Sequence, residues 1–425
     1  MQLRRFWELE EYVETSSHLS EEKKLCEEYF LKHTVRDASE KFTVRLPFLH
    51  PPSQLGDSRQ MAEKRLSHIE RKLHRNPQLK HEYHAFFREY LELGHMTLAE
   101  CPAPKDSVYL PHHCVVKEAS STTKCRVVFD ASANTTSTKS LNDVLMAGPV
   151  LQDSLVNVLL RFRLPAFVVT GDIKQMYRMV EIHEADRDFQ RILWRWSSDE
   201  PVSEYPLNTV IYGTKSASRQ HPTAVEKAEK GTYVDDVLTG ADSEEEAILL
   251  RLQLSTIFAS GGFYLRKWAS NSAAVLDGVP AADLEMQTSI EINDTRTIKA
   301  LGIHWQPCSD QFQFSNIPNK IFQPTKWTML SQIASIFDPL GLLASIVVKA
   351  KMVMQQLWEL KVTWDETPPG ELVQHWLVFV QSLSDLNSLQ VPRRVIGTQG
   401  ASRYYLHGYS DESERDMGAC VYQAW

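Results

Sequence analysis

One tight group of acids in this sequence could do chemistry. Tyr233-Val234-Asp235-Asp236 sets two adjacent aspartates between short apolar runs, and Val237-Leu238-Thr239-Gly240 follows. In a hairpin the pair projects at the turn, where neither carboxylate can be buried without a counter-charge. Asp172 closes the run Phe167–Asp172 (FVVTGD), whose β-branched and aromatic composition is that of a strand. Three carboxylates from neighbouring strands make a hard-oxygen set suited to Mg2+. Two such ions close together could activate a hydroxyl nucleophile and stabilise a pyrophosphate leaving group. The plainer alternative is a turn that uses Asp235 and Asp236 for its own backbone hydrogen bonds. An aromatic, Tyr177, stands five residues after Asp172.

Elements must position these acids. The chain has 425 residues, too many for one ordinary domain. Its 43% apolar and 24% charged residues are the balance of a soluble globular protein. A net charge of −8 excludes a histone-like basic protein but leaves room for a basic cleft on an acidic body. No apolar run approaches the ~18 residues of a membrane span. Six scattered cysteines without a CxxC pair predict neither a disulfide framework nor a zinc site, and point to a reducing compartment.

Residues 1–40 carry acidic clusters that read as solvent-facing helix. Over 59–94, Ala62, Leu66, Ile69 and Leu73 recur at helical spacing, Pro77 interrupts, and Gly94 is a stop signal. This is the most basic stretch of the chain. It is either a set of solvated helix faces or a surface lying along a phosphate backbone. Cys125–Asp130 reads as a strand, and Leu151, Leu155, Leu159 and Phe162 form a helical stripe before FVVTGD. Ser243 and Glu246 form a capping box ahead of an apolar face at Ala247, Leu250, Leu254 and Ile257, and Gly261-Gly262 ends that helix. Beyond about residue 320 the chain reads as helices, including an amphipathic one over Leu340–Leu360 and another through Trp376. Residues 403–424 return to strand composition.

VTGDIKQMY followed by YVDD resembles the catalytic core of a reverse transcriptase. The wider text is similar to the Bel/Pao class of LTR retrotransposon polyproteins. The segments that carry this likeness include YLPHH (109–113), TTKCRVVFDAS (122–132), GPVLQDSL (148–155), DRDFQRILWR (186–195), YVDDVLTGA (233–241), GGFYLRKWASN (261–271), LGIHW (301–305) and IASIFDPLGLL (333–343). They span nearly the whole chain, and the set rather than any one motif is specific.

The resemblance implies an α+β right-hand polymerase with an RNase H-like strand pair at its C-terminus. It implies a helical N-terminal region (1–100), fingers and palm (101–270), a thumb and connection (271–395) and the start of an RNase H-like domain (396–425). The activity implied is RNA-directed DNA polymerisation, with an RNA template, a DNA primer and dNTPs as partners. The cofactor is two Mg2+ ions, with Mn2+ as a substitute. Asp172 and Asp235 would hold the ions, assisted by Asp236. Lys124 and Arg126 match residues that clamp the incoming triphosphate, a grip that suits Arg. Tyr177 matches the steric gate against a ribose 2′-hydroxyl, Gly213 the motif B glycine, Lys267 the motif D proton donor, and Leu301-Gly302-Ile303 the primer grip. The implied location is the cytoplasm, within a virus-like particle for an active element. The likeness leaves the oligomeric state undetermined.

The sequence departs from that pattern in places. Between Gly213 and Asp235 the family's helix and strand are shortened, and Pro222 disfavours a helix there. The expectation is a displaced Asp235 and weak or absent polymerisation, in the limit a remnant that only binds nucleic acid. Asp411 matches the first metal aspartate of RNase H, but the family's other acidic ligands are missing, so RNase H activity is not expected. The region 296–394 resembles a segment labelled as a Pao peptidase family. Neither Asp-Thr-Gly nor Asp-Ser-Gly occurs in the chain, so an aspartic peptidase is expected by label only.

Overall fold

The computed structural model describes residues 20–37, 41–116, 125–149, 152–211, 230–285, 297–314, 323–396, 405–412 and 417–424. Lys124 and Gly213 lie outside them. The chain divides into two compact units, residues 1–151 with 175–222, and residues 152–174 with 223–425. Helices and strands are mixed, as the α+β expectation required.

In the first unit, the Arg59–Arg75 helix buries Ala62, Leu66, Ile69 and Leu73, the stripe its spacing predicts. Pro77 does not merely interrupt. It opens a second helix, Pro77–Glu92, at a position where its missing N–H is not needed, and Asn76 caps that helix by accepting the Leu79 N–H at 3.0 Å. Gly94 follows with φ +70°, a conformation that favours glycine. The second helix buries Tyr83, Phe86, Phe87 and Tyr90. They pack against two antiparallel hairpins, His112–Val116 with Cys125–Phe129 and Arg191–Trp194 with Ser203–Pro206. At the centre Phe87 lies 4.6 Å from Trp194, ring to ring. His112 donates from Nε2 to the Leu193 carbonyl at 3.1 Å, and its neutral Nδ1 accepts from the Tyr83 hydroxyl at 2.6 Å.

One expectation needs correcting here. The scattered cysteines predicted no disulfide, yet Cys114 and Cys125 are joined across the first hairpin with Cα atoms 6.0 Å apart. The register pairs Cys114 with Val127 and Val116 with Cys125, which puts the two cysteines diagonally on one face. No CxxC spacing announces such a pair, because the hairpin creates it.

In the second unit an antiparallel sheet runs in the order Leu265–Ser270, Phe167–Ile173, Asp236–Ala241, Thr232–Tyr233. The Leu155–Phe162 helix covers it with Val158, Leu159 and Phe162. Each such side chain, fully buried, contributes about 1.5–3 kcal/mol. The Glu244–Ser260 helix starts where Ser243 accepts the Glu246 N–H at 3.2 Å. Its buried face ends on Phe258 rather than Ile257, which is only half-buried. A second antiparallel sheet follows, Ile298–Ala300, Ile303–Gln306, Gln311–Gln313 and Gln390–Pro392. Helices Lys326–Ala334, Ala344–Glu359 and Gly370–Ser382 share a core of Met329, Met354, Leu357 and Trp376. Strands Tyr405–Glu412 and Met417–Ala424 form the final hairpin.

A buried ion pair ties the second unit together. Arg393 is fully buried and grips Asp310 with two nitrogens, at 2.7 and 2.8 Å. It also donates to the carbonyls of Phe162 and Pro165 at 2.5 and 2.9 Å. Asp310 accepts from Trp305 Nε1 at 3.0 Å as well. Arg393→Met should cost about 3 kcal/mol in urea unfolding, because it strands a carboxylate and two carbonyls. Asp310→Asn added to it should cost less than the sum of the two single changes.

The first unit carries a pH-dependent term. Burial holds His112 neutral and lowers its pKa from 6.5 to about 4, and burial does the same for His95. A base with a depressed folded-state pKa contributes stability above its unfolded pKa and loses it as pH falls. Melting curves should therefore show the chain losing about 2 kcal/mol per such histidine between pH 6.5 and 5. His112→Gln should be less stable at pH 7.5 but flatter in that range; an unchanged slope would contradict the assignment.

Candidate active site

Backbone register brings Asp236 and Asp172 together and leaves Asp235 in the adjoining turn. Asp236 stands directly opposite Asp172 in the antiparallel pair, and the pairing continues to Ala241 opposite Phe167. Opposed residues share one face of a sheet, so both carboxylates project to the same side. Tyr233 pairs with Asp236, which leaves Val234 and Asp235 as a two-residue turn. The Asp235 carbonyl accepts the Ile173 N–H at 2.7 Å, so the turn is anchored beside Asp172. Val234 takes φ +57°. A β-branched residue there costs on the order of 1–2 kcal/mol, a strain held in place by the surrounding sheet.

The neighbouring strand supplies the cations. Its register shifts between Arg266 and Ala269, and Lys267 takes φ +53°. This bulge lets two consecutive residues reach one carboxylate. Arg266 Nε lies 3.1 Å from Asp172 Oδ1, and Lys267 Nζ lies 3.5 Å from Asp172 Oδ2. A cavity of about 50 Å³ is lined by Asp172, Asp236, Lys267, Lys299 and Glu285, among others. It has room for an ion or a water or two.

Crowded carboxylates make this cavity electrostatically unfavourable. Burial, then the charges of Asp235 and Asp172, push Asp236 up to about 7, against the opposing pull of Lys267. Glu285 is likewise raised, chiefly by burial. Sequence reasoning missed Glu285 and Arg266. Glu285 has no motif around it, but Arg266 stood beside Lys267 in GGFYLRKW and could have been read as a second cation.

The other expected residues are placed as follows. Leu301 and Gly302 form the tight turn between Ile298–Ala300 and Ile303–Gln306, with φ +48° and +90°. A Cβ on Gly302 would meet the Phe337 ring at 2.5 Å. Arg126 is exposed on the Cys125–Phe129 strand, and Tyr177 is buried in a short helical turn, Met176–Met179; both belong to the first unit. Asp411 lies opposite Gly418 in the final hairpin. Among the described residues no group of three or more His, Cys, Asp or Glu side chains is arranged to hold a metal ion. No described helix is long and apolar enough to cross a membrane.

Residues 325–425 match the family described as the Pao retrotransposon-like RNaseH-like domain. This stretch of the chain is Pao-like. The Pao-like stretch takes in the three helices from Lys326 to Ser382 as well as the final hairpin, and its description is RNaseH-like, not peptidase. A solved structure of a foamy viral protease–reverse transcriptase in complex with double-stranded DNA is similar at 13% identity and a TM-score of 0.47. The alignment covers 79% of this chain and 51% of that one, so the chain spans about half the length of that protein. Among curated proteins none matches.

The carboxylate crowding has a measurable consequence. Asp236→Asn removes a buried charge facing two others, so without divalent cations it should raise the melting temperature by a few degrees. A lower melting temperature in thermal scans at pH 8 would show that the three acids do not repel one another as the geometry requires.

Proposed function

We propose that this chain is the reverse transcriptase region of a Bel/Pao-type retroelement, an RNA-directed DNA polymerase by descent whose chemistry in this copy is weak. The observation that carries the reading is the Asp236–Asp172 register, which sets the turn of Tyr233–Asp236 beside the end of the Phe167–Ile173 strand. The Pao-like stretch favours the same class.

The donor set suits hard divalent cations. Asp172, Asp235 and Asp236 are oxygen donors; burial, and then the charges of Asp235 and Asp172, push Asp236 up to about 7, and a divalent cation would relieve that charge crowding. Two Mg2+ ions, when bound, would lower the pKa of a primer hydroxyl and neutralise a departing pyrophosphate. The chain's own residues would orient the reactants. Lys124 and Arg126 would bind the triphosphate, Tyr177 would exclude a ribose 2′-hydroxyl, and Leu301–Ile303 would hold the primer end. Gly213 would let the template–nucleotide pair approach closely. Lys267 would give a proton to pyrophosphate, and until then it holds Asp172.

Two observations support weak chemistry. Asp172 is already paired with Arg266 and Lys267, cations that compete with a metal for its carboxylate. The strand that leads into the turn is only Thr232–Tyr233, two residues long. A non-catalytic remnant that binds nucleic acid is the second reading, and the same two observations favour it.

Primer extension on an RNA template with Mg2+ and dNTPs tests the proposal. The chain should incorporate little. Inserting a family-like helix between Gly213 and Tyr233 should raise incorporation at least about tenfold, and Asp235→Asn in that chain should abolish it, as loss of a metal ligand removes most of the rate. Robust extension by the unaltered chain would refute the impairment. No extension after insertion, with the fold intact by circular dichroism, would favour the remnant.

A further inference from the structure

The most basic stretch of the sequence is not used by the acidic cluster, and it builds a separate surface in the first unit. On the Arg59–Arg75 helix, Lys64, His68, Arg71 and Arg75 recur at spacings of four, three and four, which puts them on one face. The opposite stripe, Leu66, Ile69 and Leu73, is in the core, so the helix cannot rotate this face away. Two hollows flank it. One, of about 540 Å³, is lined by Arg71, His74, Arg75, Lys80, His84 and Trp196, with Trp194 at its wall. The other, of about 620 Å³, shares Arg71 and adds Lys64, Arg65 and His68. From Lys64 to Arg75 the track runs ~17 Å along the helix, enough for about five phosphates at stacked spacing.

Charge and rings are paired in a way that leaves the track basic. Glu70, which lines the first hollow, is neutralised by a two-pronged grip from Arg195 at 2.6 and 2.8 Å, and Asp57 is the acid that lines the second. Arg71, Arg75 and Lys80 pair with no carboxylate among the described residues. The indole of Trp196 is half-exposed and held in place edge-on by His84, 5.6 Å away, and by Trp194, 5.9 Å away, with Arg88 over its ring at 5.8 Å. A fixed, partly open indole beside unpaired cations is a stacking platform with phosphate partners. Trp194 is 1% exposed, lines the same hollow, and leaves its indole N–H without a hydrogen-bond partner among the described residues. Such a donor calls for an acceptor.

We propose that this track binds single-stranded nucleic acid, with phosphates on Arg71, Arg75 and Lys80 and a base against Trp196. An acidic peptide would use the cations but not the indole platform. The site is independent of the carboxylate cluster and stands whether or not the chain polymerises.

The test titrates the full chain with a fluorescein-labelled 12-nucleotide oligo(dT), followed by anisotropy and by tryptophan emission over a range of salt. The unaltered chain should bind with quenched tryptophan emission. Arg75→Ala/Lys80→Ala, two exposed positions whose loss leaves the core intact, should weaken binding at least about tenfold and reduce the salt slope by ~1.4. Trp196→Phe should retain most of the affinity and Trp196→Leu should lose several-fold. Equal affinity of the double variant would overturn the proposal. So would full displacement by a poly-glutamate peptide of the same length at equal concentration, since that would make the track a site for acidic peptide. Polymerisation is read separately by its dependence on Asp235, so the failure of one idea leaves the other measurable.

Discussion

The antiparallel register between Phe167–Ile173 and Asp236–Ala241 is the constraint on which the rest of the candidate site depends. Side chains alternate faces along a strand, so a slip of one residue would turn Asp236 away from Asp172 and exchange the faces on which Val237 and Leu238 pack. Those two side chains are buried opposite Gly171 and Thr170, and Val168 and Val169 are buried on the partner strand. The apolar residues therefore specify where the acids stand. The turn closes this pairing with Val234 in a strained conformation, and the bulge at Lys267 brings two cations to the same carboxylate. Burial energy is spread over many side chains, and it sustains a few unfavourable features where the acids collect.

The surrounding scaffold follows the same logic. The Leu155–Phe162 helix lies across the sheet, and Arg393 reaches from the end of the second sheet to the last carbonyl of that helix and to the Pro165 carbonyl just beyond it. A guanidinium with no exposure is costly to desolvate, yet here every prong finds an oxygen. The first unit has its own solution, an aromatic cluster of Tyr83, Phe87, His112 and Trp194 in which burial keeps both the imidazole and the phenol neutral.

Much of this was legible in the residues. Periodicity found the Arg59–Arg75 helix with its four buried positions, and composition found the strand that ends at Asp172. Glycine and proline were legible as punctuation, although Pro77 proved to start a helix and not simply to break one. Pairings distant in sequence were not legible. Cys114 and Cys125 carry no spacing signal, and Glu285 has no motif. Arg393 looks like an ordinary surface arginine until Asp310 and the Phe162 carbonyl are brought to it. Each of these depends on a partner that only folding selects.

By itself the sequence determined which residue types were available and on what local elements they would sit: an aspartate at the end of an apolar strand, two more at a turn, and a basic stripe on an amphipathic helix. These are consequences of local sterics and of hydrophobic period, and both act over a few residues. The tertiary structure alone decided which aspartate faces which, that Asp172 is held by Arg266 and Lys267, and that Asp236 is the acid pushed up to about 7. It also decided that the basic stripe faces outward beside a fixed indole. Charge interactions and burial depend on distances across the fold, and a linear chain does not contain those distances until its apolar side chains have found one another.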